Sequence, residues 1–309
     1  MMALSFQRMA VRITRRHFLH ISGLAVAALS TKLYASRAQR TVGFSTLGCP
    51  AWEWDKILDF ARAHDFSAIE LRGLLGNMDL PTRPEFQTDR IAQSKREIAA
   101  KSLKIACVSS SAHLHDADPV KRQEQLADAR RFIDLASSLG APCVRVFGNT
   151  IDDPKNKNQV VARVAAGLHE LGAYSGPRGV TVIIESHGDF TDSPTLEDIL
   201  TRADSPHVGL LWDAHHTFVS GKEDPEFTVR RVGKFIRHTH LKDSVPSADG
   251  RRYVLTGRGD VPVRKQVELL TAMGYAGCYT FEWEKVWHPE LDDPEIAIAD
   301  FAEFMRKIP

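Results

Sequence analysis

The feature that most constrains this chain is a regular alternation, from residue 41 onward, of short apolar β-rich runs with longer segments of helical period. Eight such runs occur, and several of the segments between them end at a glycine that can take the left-handed C-cap conformation. The runs are TVGFS (41–45), SAIELR (67–72), KIACVSS (104–110), CVRVFG (143–148), VTVIIES (180–186), VGLLWD (208–213), FIRHTHL (235–241) and GCYTFEW (277–283). A last helix is expected from about Pro294 to Lys307.

Near-continuous apolar strands indicate a sheet that is buried on both faces, which is the parallel case. Eight β/α units in about 270 residues have the size of a (β/α)8 barrel. The predicted fold class is therefore α/β, a TIM barrel formed as one domain by residues 39–309. An open doubly wound sheet is the alternative, but the first strand-to-helix loop, TLGCPAW, lacks the G-x-G-x-x-G of dinucleotide-binding folds.

Residues 1–38 have the pattern of a twin-arginine signal peptide. They contain six Lys or Arg and no acidic residue, and TRRHFLHISGLAVAALS places an Arg-Arg pair ahead of a short apolar run. The run is roughly a dozen residues, whereas a hydrocarbon core needs about 20. We therefore expect passage through the Tat export machinery, cleavage after Ala35 or Ala38, a periplasmic or otherwise exported location, and no stable membrane insertion after cleavage.

The charge and the cysteines of the remaining residues limit the classes of partner and the redox chemistry that can be expected. They carry 34 basic and 39 acidic side chains, so their formal net charge is about −5, which does not indicate a nucleic-acid-binding protein. The four cysteines lie far apart without a C-x-x-C, three of them in or beside predicted strands. Although export would permit disulfides, we expect free, structural thiols.

Polar side chains collect where the predicted strands end, which is where the active site of a (β/α)8 barrel is built. They are Glu70, Arg72, His113, His115, Asn149, Glu185, His187, Asp213, His216, His240, Lys242, Glu282 and Glu284. Four of these residues, Glu185, Asp213, His240 and Glu282, are separated by 28, 27 and 42 residues, so each belongs to its own β/α unit. Only closure of the barrel can bring them together.

Three carboxylates in one barrel mouth repel one another unless a cation neutralises them. A single strand-end glutamate is more often a helix cap or an ion-pair partner, but four such residues on successive strands favour a metal site. Three oxygen ligands and one imidazole suit one divalent ion, Mn²⁺ first, with Mg²⁺, Co²⁺ or Zn²⁺ as alternatives. His238 lies on the same side of its strand as His240 and is expected one layer deeper.

The segments VIIESHGDF, GLLWDAHH, IRHTHLKDS, LTGRGDVPV and TFEWE resemble the xylose isomerase-like TIM-barrel superfamily, which includes the sugar phosphate isomerase/epimerase family. The likeness covers roughly residues 41–309. It implies Glu185, Asp213, His240 and Glu282 as metal ligands, His216 as a substrate contact, and a homodimer. The D-x-H pair of the endonuclease branch is missing after His240, so DNA is not an expected substrate.

The resemblance implies a divalent-metal-dependent sugar isomerase or epimerase that works through an enediolate. Glu185 and Glu282 would be its acid/base pair, approaching a flat intermediate from opposite sides. Export argues against a phosphorylated substrate and favours a free or glycosidic sugar, or a keto-sugar. The same proton abstraction also serves a keto-glycoside lyase or an inosose-type dehydratase, and a non-catalytic periplasmic sugar-binding protein is a further alternative.

Other polar residues receive expected roles around the substrate. Lys242, His187 and His216 are candidates for protonating or polarising a departing oxygen. Hydroxyl groups of the substrate would be bound by Glu70, Arg72, His113 and Asn149. Arg258, in the GRGD loop, could close over a ligand, and Asp260 of the same loop is expected to cap the helix that follows.

Overall fold

The computed structural model describes residues 40–248 and 250–309, so the predicted signal peptide lies outside the described residues. Eight parallel strands close into a barrel in the order β1-β10-β7-β6-β5-β4-β3-β2, which confirms the predicted (β/α)8 fold. The barrel strands are β1 (Thr41–Ser45), β2 (Ala68–Leu71), β3 (Lys104–His113), β4 (Cys143–Phe147), β5 (Thr181–Glu185), β6 (Val208–Asp213), β7 (Ile236–Leu241) and β10 (Cys278–Phe281).

Helices follow the strands and surround the barrel. They are α1 (Trp54–Ala63), α2 (Ile91–Ala100), α3 (Pro119–Leu139), α4 (Lys157–Ser175), α5 (Ser193–Ala203), α6 (Ala214–Val219), α7 (Pro225–Val232), α8 (Val263–Ala272) and α9 (Pro294–Arg306). Two further strands, β8 (Asp243–Ser247) and β9 (Gly250–Val254), form an antiparallel hairpin after β7. The hairpin was not predicted.

The helices pack on the barrel through one apolar face each. In α1 the buried residues Trp54, Ile57, Leu58 and Ala61 recur with the helical spacing, so they lie on one side of the helix. The longest helix, α3, begins where Asp118 accepts hydrogen bonds from two backbone N–H groups. It ends at a left-handed glycine, as the sequence pattern predicted.

The register of the strands places the predicted ligands at one level. Asp213 on β6 is paired with His240 on β7, and Glu185 is the last residue of β5. Residues paired across neighbouring parallel strands have their side chains on the same side of the sheet, so the side chains of Asp213 and His240 both point into the barrel. The carboxyl ends of β5, β6, β7 and β10 therefore form one wall of the barrel mouth.

The cysteines and the helices of the described residues bear on the expected disulfide chemistry and membrane insertion. All four cysteines are buried and free, as predicted. Within the described residues, no helix is both long enough and apolar enough to cross a lipid bilayer.

Candidate active site

The four predicted metal ligands converge on one point inside the barrel mouth. One ligand atom from each of Glu185, Asp213, His240 and Glu282 lies within 4.8 Å of the others. His240 Nδ1 is 3.1 Å from Glu282 Oε1, 3.3 Å from Glu185 Oε1 and 3.9 Å from Asp213 Oδ2. None of the four is more than 5% exposed. We refer to these four residues as the quartet.

A ring nitrogen without a hydrogen-bond partner faces the oxygens of the quartet. His240 Nδ1 is buried, and none of the nearby oxygens lies in hydrogen-bonding geometry with it. The other ring nitrogen, Nε2, is 2.8 Å from Glu70 Oε2. An ionised carboxylate only accepts, so Nε2 carries a proton, and a ring that gives up its second proton to a bound ion presents a lone pair at Nδ1. The quartet therefore fits a metal ion, with Glu70 as the supporting carboxylate behind the histidine ligand.

Glu70 is held from several sides and is fully buried. Its Oε2 also lies 2.7 Å from His238 Nε2, and its Oε1 accepts a hydrogen bond from Ser45 Oγ at 3.0 Å. Burial opposes ionisation, but His240 and His238 outweigh it and hold the pKa of this carboxyl well below its usual value. β2 directs the Glu70 side chain into the barrel, where protein groups engage both oxygens, and its expected contact with substrate hydroxyls stays a prediction.

Two buried cations lie beside the outer oxygens of the quartet glutamates. Lys242 Nζ donates to Asp213 Oδ2 at 2.7 Å and to Glu282 Oε2. Arg145 Nε lies 3.3 Å from Glu185 Oε2. Each glutamate thus has one oxygen in the quartet and the other beside a cation. Arg145 was not predicted as a site residue, although an arginine inside the apolar run CVRVF was a visible signal.

These contacts set the ionisation of the metal-free site. Burial raises the pKa of Glu185, but Arg145 and His240 outweigh it and lower that pKa to about 2. The pKa of Glu282 lies well below its usual value because His240 and Lys242 outweigh burial. Burial disfavours the charged form of His240, yet the carboxylates around it raise its pKa well above the usual value. Without metal, His240 therefore carries a proton in place of the ion's charge.

The charges around the quartet favour one divalent ion. Five carboxylates face three cationic side chains, which leaves an excess of two negative charges when the imidazoles are neutral. The carboxylates belong to Glu70, Glu185, Asp213, Glu282 and Glu284, and the cations are Arg72, Arg145 and Lys242. Uncompensated buried charge is costly, and one divalent ion supplies the missing charge.

Two imidazoles line the mouth beside the quartet. His216 Nε2 is 3.5 Å from Asp213 Oδ2, and the His216 ring meets the His187 ring edge-on at 5.0 Å. The His187 ring also packs 4.8 Å from the ring of Phe147. Burial lowers the pKa of His187, so its imidazole is neutral at pH 7. Both histidines are partly exposed, which leaves their rings accessible to a substrate.

The β8–β9 hairpin contributes a residue to the Lys242 side of the site. Tyr253, on β9, donates to Glu284 Oε1 at 2.8 Å, and Lys242 Nζ lies 2.7 Å from the same oxygen. Lys242 is fully buried, and its ammonium group meets carboxylates of Asp213, Glu282 and Glu284. The hairpin is therefore linked to the quartet through one carboxylate and one lysine. Tyr253 was missed because its strand was not predicted.

Lys242 and Asp243 are adjacent in the chain but do not pair with each other. Asp243 instead accepts hydrogen bonds from the backbone N–H groups of Gly257, Gly259 and Val261, at 2.9, 2.8 and 3.2 Å. Successive residues of an extended chain point to opposite sides, so Lys242 enters the barrel while Asp243 faces the GRGD loop. This carboxylate anchors the loop that follows the hairpin.

The GRGD loop lies against the C-terminal helix instead of the quartet. The Arg258 side chain is 62% exposed and pairs with Asp300 at 2.8 Å, and the surface pocket that it lines contains no quartet residue. In this geometry Arg258 does not reach the quartet, and its expected closure over a ligand stays a prediction. Asp260 does not cap α8 either, because its carboxylate pairs with Arg251.

Three predicted hydroxyl-binding residues lie around the mouth with partners of their own. His113 ends β3 and lies 3.0 Å from Asp116, and Arg72 Nη1 donates to Ser111 Oγ at 2.9 Å. Asn149 has a left-handed backbone, and its carbonyl accepts from Asp189 N at 3.0 Å. Their roles toward a substrate stay predictions.

Residues 58–308 match the family described as xylose isomerase-like TIM barrel. This chain belongs to that family. The matched range contains the quartet, Lys242, His187 and His216. The resemblance read from the sequence motifs is therefore confirmed at the level of the family.

Two relatives with assigned activities resemble this chain over about two thirds of its length. Inosose dehydratase of Bacillus thuringiensis (strain Al Hakam) is 24% identical over 242 residues, which cover 69% of this chain and 79% of that protein. Inosose dehydratase 2 of Bacillus cereus (strain ZK / E33L) is 29% identical over 229 residues, which cover 65% of this chain and 75% of that protein.

Solved structures share the fold over most of this chain. The IOLI protein with a bound zinc atom has a TM-score of 0.73 at 16% identity, covering 87% of this chain and 97% of that one. A magnesium complex from Mycobacterium smegmatis has a TM-score of 0.66 at 20% identity, with 88% and 97% covered. D-Psicose 3-epimerase from Clostridium cellulolyticum H10, with D-tagatose, has a TM-score of 0.69 at 17% identity, and the match covers 87% of this chain and 99% of that one.

Proposed function

We propose that this protein is a metal-dependent enzyme that removes a proton next to the carbonyl group of a non-phosphorylated polyhydroxy carbonyl compound. The observation that carries the proposal is the buried quartet, in which three carboxylate oxygens surround an imidazole nitrogen that has no hydrogen-bond partner. A divalent ion held there would act as a Lewis acid on the carbonyl oxygen and a neighbouring hydroxyl of the substrate. Mn²⁺ remains our first expectation, with Mg²⁺, Co²⁺ and Zn²⁺ as alternatives.

Elimination, as in a dehydratase or lyase, is the outcome that the geometry supports best. Proton abstraction by a quartet glutamate requires a free carboxylate oxygen, yet the second oxygen of each lies beside Arg145 or Lys242. His187 and His216 instead present partly exposed imidazoles 5.0 Å apart. A neutral imidazole is suited to accept a proton from carbon and return it to a departing hydroxyl. The inosose dehydratases among the relatives support this assignment.

In this proposal the remaining charged residues position the reacting groups. Lys242 is fully buried, and its carboxylate partners outweigh burial and raise the pKa of its ammonium group well above the usual value. An ammonium that holds its proton so firmly is a poor general acid near neutral pH. Lys242 therefore orients Asp213 and Glu282, and Arg145 orients Glu185. The expectation that Lys242 protonates a leaving oxygen becomes the weaker assignment.

Isomerisation or epimerisation, the outcome expected first from the sequence, is the second candidate. Its support is the strand order β10-β7-β6-β5, which brings Glu282 and Glu185 in from the two ends of the quartet's four strands. Two carboxylates on opposite sides of a flat enediolate could remove and return a proton. Each glutamate would first have to separate one oxygen from its buried cation.

Proton NMR in D2O separates these outcomes. The purified protein with Mg²⁺ is incubated with inososes, free ketoses and 3-keto-glycosides, beside the variants His187→Asn and Glu282→Gln. Loss of water or of an aglycone, abolished by His187→Asn in a protein that still binds metal, is expected. Deuterium entering next to the carbonyl without bond cleavage would assign an isomerase or epimerase. No exchange in any substrate, despite bound metal, would overturn the enzyme proposal and favour a binding protein.

Export and assembly are separate proposals. We propose that residues 1–38 direct the protein through the twin-arginine route to the periplasm and that the mature protein is a homodimer. Cell fractionation of the wild-type chain and of an Arg15→Lys, Arg16→Lys variant tests the first. An exported wild type and a retained variant are expected, and equal distribution of both would contradict it. Light scattering coupled to gel filtration tests the second, and a mass of one chain would contradict it.

A further inference from the structure

A second group of metal-ligating side chains lies where β3 ends. His113, His115 and Asp116 each offer a ligand atom, and these atoms lie within 4.8 Å of one another. His113 Nε2 is 3.0 Å from Asp116 Oδ2, and the two imidazole rings are 4.9 Å apart. None of the three belongs to the quartet, and all are partly exposed, so an ion can reach them from solvent. We refer to them as the β3 triad.

An unsatisfied nitrogen distinguishes the β3 triad from an ordinary surface ion pair. His115 Nδ1 is shielded from solvent and has no hydrogen-bond partner among residues 40–248 and 250–309. A buried polar atom without a partner destabilises the folded state, and native structures usually provide one. The pairing of His113 with Asp116 does not account for this nitrogen. A bound ion would supply a partner for a ring that the fold otherwise leaves unsatisfied.

Neighbouring helices hold the backbone of the triad from both sides. The side chain of Gln125, on α3, accepts a hydrogen bond from the backbone N–H of His113 at 3.1 Å. The guanidinium of Arg163, on α4, donates to the backbone carbonyl of His115 at 2.5 Å. The backbone that carries the two histidines is thereby fixed before any ion arrives, which favours a preorganised metal site.

We propose that His113, His115 and Asp116 bind a second metal ion, of the borderline class that includes Zn²⁺, Co²⁺ and Ni²⁺. Two imidazoles and one carboxylate suit these ions, whereas the three carboxylates of the quartet also suit harder ions such as Mg²⁺. Three protein ligands leave coordination positions for water or a substrate oxygen. The ion would join the end of β3 to the segment that leads into α3. The proposal does not depend on the proposed function.

The test is the number of ions that each chain retains. The purified protein is dialysed with Zn²⁺ or with Mg²⁺, then against metal-free buffer, and its metal content is measured by mass spectrometry. We expect two zinc ions per chain but one magnesium ion. The double variant His113→Ala, His115→Ala should keep only the zinc ion of the quartet. The variant Glu282→Gln should keep only the zinc ion of the β3 triad. The control His64→Ala, a histidine outside both clusters, should keep two.

Two results would overturn the proposal: one zinc ion per chain in the wild type, or two in the double variant. Circular dichroism establishes that each variant is folded. If the double alanine variant is not, His113→Gln with His115→Gln replaces it. Thermal unfolding gives a readout independent of metal counting. Added Zn²⁺ should raise the Tm of the wild type by more than that of the double variant, because the wild type fills both sites with zinc and the double variant fills only the quartet.

Discussion

Glu70 Oε2 accepts from the Nε2 atoms of both His238 and His240, at 2.7 and 2.8 Å, so one carboxylate orients two histidines of β7. Only His240 belongs to the quartet. Its ring orientation, and with it the direction of Nδ1, therefore depends on a carboxylate outside the quartet.

Replacing Glu70 by glutamine should weaken metal binding without removing a ligand. Supporting partners of ligating histidines typically contribute about 10- to 100-fold in metal affinity, so a loss of that size is expected for Glu70→Gln. Isothermal titration with Mn²⁺ measures it. Glu97→Gln, on the surface helix α2, is the matched control and should bind like the wild type. An affinity for Glu70→Gln within twofold of the wild type would contradict the supporting role.

Metal binding should release a proton near neutral pH. Carboxylates raise the pKa of His240 well above its usual value, so the ring is protonated in the metal-free protein. The ion needs the lone pair at Nδ1 and therefore displaces this proton. Below the raised pKa, each unit of pH lost should weaken apparent affinity by about tenfold. Titration calorimetry in two buffers of different ionisation enthalpy counts the proton, and identical heats in both would rule out its release.

Removing the charge of Lys242 should destabilise the metal-free protein strongly. Lys242→Met leaves the buried carboxylates of Asp213 and Glu282 without their cation, and breaking a buried pair costs about 3–5 kcal/mol. Lys56→Met is the control, because Lys56 and Glu295 are about half exposed and such a pair contributes about 0–1 kcal/mol. Urea unfolding measures both.

Metal binding should stabilise Lys242→Met more than it stabilises the wild type. With Lys242 absent, the site carries one more uncompensated negative charge, so a divalent ion is attracted more strongly. We expect added Mg²⁺ to raise the Tm of Lys242→Met by more than that of the wild type. A smaller rise would indicate that Lys242 arranges the ligands rather than mainly neutralising them.

The loop after the hairpin should not tolerate a side chain at Gly259. A Cβ there would lie 2.1 Å from Asp243 Oδ1 and 2.4 Å from the Ser244 carbonyl, so Gly259→Ala must displace the carboxylate that anchors the loop. A loss of about 1–3 kcal/mol in unfolding free energy is expected. Gly167 lies inside α4, and a Cβ there would be 3.4 Å from the Leu114 side chain. Gly167→Ala should therefore leave the unfolding free energy unchanged or raise it by about 0.5–1 kcal/mol. Equal stability of the two variants would contradict the contact at Gly259.

The sequence was sufficient to predict the barrel and the residues of the quartet, because both predictions rest on local patterns. The run VGLLWD coincides with β6, and the ligands occur at the end of four successive strands. Depth inside the barrel was not readable, because it depends on how far each strand is shifted against its neighbours. Glu70 therefore looked like a residue of the mouth although it lies beneath His240.

The cations of the site were harder to anticipate than the ligands. Arg145 reaches Glu185 from the neighbouring strand β4, and Lys242 meets three carboxylates on two other strand ends. No spacing in the sequence encodes such pairs, because they form only when the strands take their places around the barrel. Tyr253 depends in addition on a hairpin whose few residues were read as loop.

The quartet takes its four ligands from β5, β6, β7 and β10, a span of nearly a hundred residues that only the closed barrel gathers. A partly assembled chain offers an ion isolated carboxylates and imidazoles, each of which binds weakly. If the quartet binds metal as proposed, the amount of tightly held metal counts the molecules that have completed folding. The ratio of metal to protein in a preparation would measure how much of it has completed folding, before any substrate is known.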